Sequence, residues 1–233
     1  MSGFSNLYRI VGEIVIIVVG ILLALAADTW MSEREHRQKE VEHLSAILHD
    51  LNKSLVDLRS AIDFKTQQIA DIQLLLNVGA QGVESDVFRE IFTRGVYVTS
   101  PYVPSLSALR DLEVSGNIGL ISDPVIRRGL SLLNTRLQGA DRSLQEYITF
   151  HQTDLDPFIA RSLPVVGILS DYSGAPVDVS GEDDWSPPDS DMARGLLVFK
   201  MSLVANYIKV MERLAEQLEF LIDKIRAVLH ERA

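Results

Sequence analysis

Three polar side chains just after the N-terminal apolar run have a spacing that metal sites use. Glu40 and His43 form an E-x-x-H pair, and His36 lies one helical turn before Glu40. Di-iron helical bundles use such a pair only together with a second copy and further carboxylates on facing helices. No second E-x-x-H occurs in the chain. A solvated charged face is the alternative to a weak metal site, and we predict no metal here.

Other residues suited to ligand chemistry stand apart from one another. His151 follows the apolar face of a predicted helix, where we expect a satisfied core or rim histidine rather than a ligand or a base. Asp183 and Asp184 precede Trp185 and could bind a cation or a partner, but their spacing matches no calcium loop. The chain has no G-x-S-x-G, P-loop or G-x-G-x-x-G motif. We therefore predict neither an enzyme nor a bound cofactor.

Composition narrows the class of protein further. The chain has 233 residues, no cysteine and a formal net charge of -10. The missing cysteines exclude disulfides and cysteine-based sites. An acidic chain is poorly suited to nucleic acid, because that binding needs clustered Lys and Arg to neutralise phosphates. The charge also argues against docking of a soluble domain on anionic lipid.

An apolar run extends from Leu7 to Ala27, with Arg9 and Glu13 as its charged residues. Its length is about that of a helix crossing a bilayer core, and Trp30 follows where aromatic residues border membranes. We therefore predict a transmembrane helix. Two alternatives are a buried core helix and a cleaved signal peptide, whose cleavage site would be Ala24-Leu25-Ala26 followed by Ala27.

A heptad pattern continues beyond the apolar run and predicts one helix from near Arg9 to near Leu76. Only Lys65 interrupts it. Its apolar positions alternate in steps of four and three: Val41, Leu44, Leu48, Leu51, Leu55, Leu58, Ile62, Ile69, Ile72 and Leu76.

The same register, followed backwards, predicts a helix–helix contact face in the membrane. We name this face the membrane stripe, and it consists of Glu13, Gly20, Ala24 and Ala27. Small residues on one face let a partner helix approach closely. The alternative is that the shared register is a coincidence. An ideal α-helix rotates by about 20° per heptad relative to a strict seven-residue repeat, so the register is lost over several heptads.

The middle of the chain predicts short helices separated by turns. Helices are expected over 83–94 and 105–114, with an extended connection between them. Ser115, Gly116 and Asn117 predict a turn, with positive φ at Gly116 or Asn117. Asp123 precedes Pro124 and predicts a helix N-cap. Longer helices are expected from Pro124 to about residue 158 and from about residue 190 to the end.

These elements predict an all-α protein in which an N-terminal transmembrane helix continues into an antiparallel bundle of long helices. The anchor comprises residues 1–30 and the soluble bundle residues 31–233. Within the bundle, residues 163–191 hold several Pro and Gly residues and many acids, which predicts a long surface loop.

Two segments resemble a bacterial family of uncharacterised single-span membrane proteins, a domain of unknown function. The first is Gly12-Glu13, the G-I-L-L-A-L run from Gly20 to Leu25, and Trp30. The second is Ser115 to Asp123, S-G-N-I-G-L-I-S-D, which is similar to an internal S-G-N-L-x-L-I-S-D segment of that family. The resemblance implies a single-pass protein of the bacterial inner membrane and implies no known activity.

The sequence also leads to expectations about the side of the membrane on which the soluble domain lies and about the role of the protein. The Lys and Arg count, with Arg9 before the run and Arg34, Arg37 and Lys39 after it, favours a cytoplasmic domain. The resemblance implies a domain outside the cytoplasm, and we predict a periplasmic one. We expect a non-catalytic scaffold or accessory subunit that contacts a protein partner or a second copy. The alternative is a ligand-sensing bundle that signals through its first long helix.

Overall fold

The computed structural model describes residues 3–78, 85–102, 104–162 and 191–232, with the side chains of residues 18–77, 87–102, 104–161 and 191–232. Every regular element in these ranges is helical. The α-helices are α1 (Gly3–Val78), α2 (Ser85–Phe92), α3 (Ser107–Val114), α4 (Pro124–Phe150), α5 (Asp156–Ser162) and α6 (Asp191–Glu231). Between them lie π-helical turns at Thr93–Tyr97 and His151–Leu155 and a 3-10 turn at Asn117–Leu120.

Helix α1 is continuous over 76 residues, which corresponds to about 110 Å at 1.5 Å per residue. The sequence prediction of one helix from near Arg9 to near Leu76 is confirmed. No Pro or Gly occurs between Gly20 and the end of this helix, so nothing in that stretch breaks its backbone hydrogen bonds.

Helices α1 and α6 pack antiparallel along the length of the bundle. Arg232, at the end of α6, donates to Glu40, whereas Arg194, at its start, donates to the carbonyl of Leu76. Helix α4 also runs antiparallel to α6, because Gly129 near its start accepts from Gln217 and Phe150 at its end stacks on Phe199. The predicted antiparallel arrangement of long helices is therefore present.

The bundle has two adjoining apolar cores. The larger one lies between α1, α4 and α6, with α3 and the segment before α4 covering it. The smaller one lies at the far end, between the end of α1, α2, α5 and the two π-helical turns. Its buried residues are Leu75, Phe88, Ile91, Phe92, Val96, Phe150, Leu155 and Ile159.

Helix α1 extends beyond the bundle towards its N-terminus. Every described side chain from Val18 to Lys39 is exposed, and Glu40 is the first buried one. We call residues 18–39 the protruding segment. Its C-terminal part carries two i,i+4 ion pairs, Glu33–Arg37 at 3.2 Å and Glu35–Lys39 at 2.7 Å. Such pairs support a helix modestly without tertiary neighbours.

None of the helices, within the described residues, combines the length and the apolar character that a membrane span requires.

One sequence expectation about the middle of the chain needs correction. Val96 and Tyr97, predicted in an extended connection, lie in a π-helical turn, and the extended backbone begins at Val98. The helical stretch predicted from Pro124 to about residue 158 is confirmed, with a π-helical turn at His151–Leu155 and a further α-helix to Ser162. The predicted acidic loop, residues 163–191, lies outside the described residues except for Asp191.

Candidate functional site

Three basic side chains from three different helical elements are buried at the same level of the bundle. Lys65 of α1, Lys200 of α6 and His151 at the end of α4 are each at most 1% exposed. Each one occupies a core position of its helix. Lys65 lies four residues from Ile69, and Lys200 lies four residues before the buried Val204. The heptad pattern therefore directs these polar groups inward, where the two cores adjoin.

The ring of Tyr147 lies at the centre of this group. Lys65 Nζ is 4.6 Å and Lys200 Nζ is 5.7 Å from its centroid, which are cation–π distances. The His151 ring contacts it edge-on, with centroids 4.8 Å apart. We call Lys65, Tyr147, His151 and Lys200 the cationic cluster.

Backbone carbonyls near the first π-helical turn accept hydrogen bonds from both lysines. Lys200 Nζ donates to the carbonyl of Val96, and Lys65 Nζ donates to the carbonyl of Thr99. These carbonyls lie where the helical hydrogen-bond pattern ends, so helical N–H groups do not satisfy them. A helix C-terminus also carries partial negative charge, which favours a cation.

Gln68 fixes the position of Lys65. Its Oε1 accepts from Lys65 Nζ at 3.0 Å. Its Nε2 donates to the carbonyls of Arg94 at 2.8 Å and Val98 at 2.6 Å. Gln68 is fully buried, and through these bonds it links the Lys65 ammonium group to the π-helical turn.

Other polar atoms of the cationic cluster have no hydrogen-bond partner among the described residues. They are the Tyr147 hydroxyl and both ring nitrogens of His151. His151 Nδ1 lies 3.5 Å from Asp156 Oδ1 without forming a hydrogen bond. His151 lies in the core as the sequence predicts, and among the described residues neither ring nitrogen has the expected partner. A buried polar atom without a partner costs about 1–3 kcal/mol, so the arrangement calls for an explanation.

Burial sets the protonation of these groups. Burial lowers the pKa of Lys65 to about 8. Burial, followed by the charge of Lys65, lowers the pKa of Lys200 well below its usual value. Burial and then the two lysines lower the pKa of His151 to about 3, so its imidazole is neutral near pH 7. Within the described residues no carboxylate forms an ion pair with either lysine.

A second polar cluster lies at the opposite end of the bundle, beside the protruding segment. Glu40 Oε1 accepts from the backbone N–H of Ser122 at 2.7 Å and from its hydroxyl at 2.8 Å. Arg232 donates to Glu40 Oε2 at 2.5 Å and to Ser122 Oγ at 2.8 Å. Burial raises the pKa of Glu40, but the hydrogen bonds from Arg232 and Ser122 outweigh burial and leave the pKa below its usual value.

An open groove of about 680 Å³ adjoins this second cluster. Its lining includes Glu33, His36, Arg37, Leu120 and Arg232. The metal alternative considered for His36, Glu40 and His43 gains no support here. Glu40 is occupied by Ser122 and Arg232, and the described residues contain no group of three metal-ligating side chains.

The predicted turn and cap residues lie side by side before α4. Ser115 ends α3, and Gly116 has φ +71°, which is one of the two positions where positive φ is expected. Asn117 begins the 3-10 turn. Asp123 caps α4, because its Oδ1 accepts from Val125 N at 2.6 Å and Ile126 N at 3.1 Å. The segment between them buries Ile121 fully, whereas Ile118 is only partly buried.

The membrane stripe lies away from the bundle. Gly20, Ala24 and Ala27 are exposed on the protruding segment, and the Glu13 side chain lies outside the described residues. No described side chain comes near Gly20, where an added Cβ would meet nothing within 4 Å. The stripe therefore remains a prediction about contact with another helix.

The sequence contains a signal for the cationic cluster that the motif search does not detect. Lys65, Lys200 and His151 each interrupt an apolar helical face. One such interruption is common, whereas three buried around one ring make a candidate site. Their convergence depends on the register between helices far apart in sequence, and the chain alone does not give that register.

No family model matches the chain, and no similar chain is found among curated proteins or solved structures. The family resemblance of the two segments therefore stays a prediction.

Proposed function

We propose that the chain is a membrane-anchored, non-catalytic helical protein that works by contact with another protein, as a scaffold or accessory subunit. One observation carries the proposal. The protruding segment leaves the bundle as a helix whose large apolar side chains are exposed on all sides. These include Val18, Val19, Ile21, Leu22, Leu23 and Leu25, which are 48–65% exposed. An apolar helix of this kind needs a cover that the bundle does not supply.

A lipid bilayer is the cover that the sequence favours. The apolar run begins at Leu7, so its first half precedes the described side chains. From Leu7 to Ala27 the run has about the length of a membrane span. Trp30 follows it, and the ion-paired residues 33–39 continue the helix into water. We propose a single span in a bacterial inner membrane, with residues 31–233 in the periplasm.

Contact with a protein partner is the role proposed for the bundle. Apolar side chains pack together between α1, α4 and α6, and the two cavities described, of about 680 and 530 Å³, are open surface grooves. Open grooves on a packed bundle suit contact with a protein more than enclosure of a substrate. We propose no catalytic residue.

A ligand-sensing bundle is the second candidate, and one observation favours it. Lys65, which belongs to the same helix as the anchor, lies in the cationic cluster with unpartnered polar atoms. A ligand bound there would contact α1 directly. The predicted route of signalling is then along α1 itself.

The membrane stripe is the proposed contact between copies of the span or with a partner helix. The test is a transcriptional association assay of the span in a bacterial membrane. Gly20→Ile puts a bulky side chain on the stripe and is expected to reduce association several-fold. Leu22→Ile changes the opposite face and serves as the matched control. Equal association of all three spans, or none by the wild type, would overturn the stripe as a self-association face.

A further inference from the structure

We propose that the cationic cluster binds a small monovalent inorganic anion, with Lys65, Lys200, Tyr147 and His151 as its donors. The proposal rests on the geometry of the cluster and does not depend on the membrane anchor.

Hydrogen-bond counting shows which kind of ligand the cluster suits. An ammonium group has three donors, a tyrosine hydroxyl has one, and a neutral imidazole has one. Lys65 uses two of its donors and Lys200 uses one, all on oxygens of the protein. The Tyr147 hydroxyl and the His151 nitrogens use none among the described residues. The unused capacity is dominated by donors, which an acceptor-only ligand would satisfy.

The net charge of the cluster indicates the charge of the ligand that it suits. Burial lowers the pKa of both lysines, so binding of an anion is expected to be accompanied by proton uptake. With both lysines protonated, the cluster holds two positive charges. Asp156, which lies 3.5 Å from His151 Nδ1, supplies one negative charge when ionised. The remaining charge is +1, and one monovalent anion neutralises it. A buried uncompensated charge is costly, so an anion here stabilises the folded protein.

The surroundings of the cluster favour a small ligand and suggest how it enters. Phe150 contacts the His151 ring at 6.2 Å and the Phe199 ring at 5.0 Å. The outer side of these two phenylalanines lines an open groove of about 530 Å³, together with Arg142, Thr149 and Thr153. The phenylalanine pair therefore lies between His151 and the open groove. Chloride and nitrate are small monovalent anions, and they serve as the probes.

The test uses the purified full chain in detergent micelles. Sodium chloride, sodium nitrate and sodium gluconate are compared at constant ionic strength, with gluconate as a bulky reference anion. We expect the thermal midpoint to rise with chloride or nitrate concentration, and calorimetry to detect saturable binding. Lys200→Met is expected to abolish both responses. Lys209→Met makes the same change at an exposed position of the same helix and is expected to keep them.

Tyr147→Phe provides a variant that keeps the ring and removes only the hydroxyl. We expect its affinity for the anion to fall about tenfold, since a hydrogen bond to a charged group is lost. Two results would overturn the proposal. The first is a wild-type midpoint that is the same in all three salts with no binding heat. The second is a Lys200→Met response equal to that of Lys209→Met.

Discussion

Lys65 holds its ammonium group 4.6 Å from the centre of the Tyr147 ring, inside a helical bundle and away from any described carboxylate partner. One residue comes from the helix that continues into the proposed membrane anchor, and the other comes from α4. The anchor helix is thus joined to the interior of the bundle by a polar contact as well as by apolar packing. The pH dependence of stability should report on this contact.

Stability in gluconate buffer should rise with pH between about 8 and 10. The folded pKa of Lys65 is about 8, against 10.5 as its ordinary value, so the unfolded chain binds more protons in this window. Burial of the charged Lys65 side chain destabilises the folded state. This destabilisation is fully present below pH 8 and is on the order of 3 kcal/mol for Lys65 alone. Urea midpoints from pH 7 to 10 measure how it decreases. Lys65→Met should flatten the rise and Lys209→Met should not, and parallel curves for all three proteins would contradict the assignment.

Gly95→Ala should destabilise the fold by about 1–3 kcal/mol, because overpacking displaces neighbouring atoms. A Cβ at Gly95 would lie 2.7 Å from Asp71 Cβ, an atom next to the backbone of α1. Gly139→Ala is the control, since nothing lies within 4 Å of its added Cβ, and it should stabilise α4 by about 0.5–1 kcal/mol. Equal free energies of unfolding for the two variants would refute the close approach at the π-helical turn.

Asp123→Ala should lower the free energy of unfolding by about 1 kcal/mol, since two N–H groups at the start of α4 lose their acceptor. Asp223→Ala, on the exposed surface of α6, is the matched control and should cost less than about 0.5 kcal/mol. Chemical denaturation at pH 7 compares them. A cost at Asp123 no larger than at Asp223 would show that the cap contributes nothing.

Glu40→Gln should destabilise the bundle at pH 7 by about 1–3 kcal/mol, because a charge-assisted bond from Arg232 is weakened. The folded pKa of Glu40 lies below its usual value, so its contribution is present above pH 4.5 and is lost as the pH falls through the folded pKa. The difference from wild type should therefore shrink in acid. Glu212→Gln, at an exposed position on α6, is the control. If the stability difference between Glu40→Gln and wild type is constant from pH 3 to 7, the lowered pKa assigned to Glu40 is wrong.

Much of the fold is predictable from local sequence signals. Helix α1 follows from its heptads and from the absence of Pro and Gly after Gly20. The cap at Asp123 and the positive φ at Gly116 follow from residue type alone, because few residues suit these backbone conformations.

The cationic cluster was not predictable in the same way. Lys65 in a heptad looks like a single interruption, and Lys200 looks like one charged residue on the apolar face of the last helix. Their meeting at Tyr147 depends on how α1, α4 and α6 align, and that alignment is a property of the packed bundle. The two π-helical turns also escape prediction, because each comprises only five residues next to an α-helix.

The most direct test of the membrane anchor uses the absence of cysteine from the chain, which gives a background-free label. Leu22→Cys and Ser32→Cys are each treated with a membrane-impermeant maleimide in spheroplasts and again after SDS denaturation. We expect Ser32→Cys to react in spheroplasts, and Leu22→Cys to react only after denaturation, because a thiol inside the bilayer meets neither water nor reagent. Equal reaction of both cysteines in spheroplasts would show that this helix does not span the membrane.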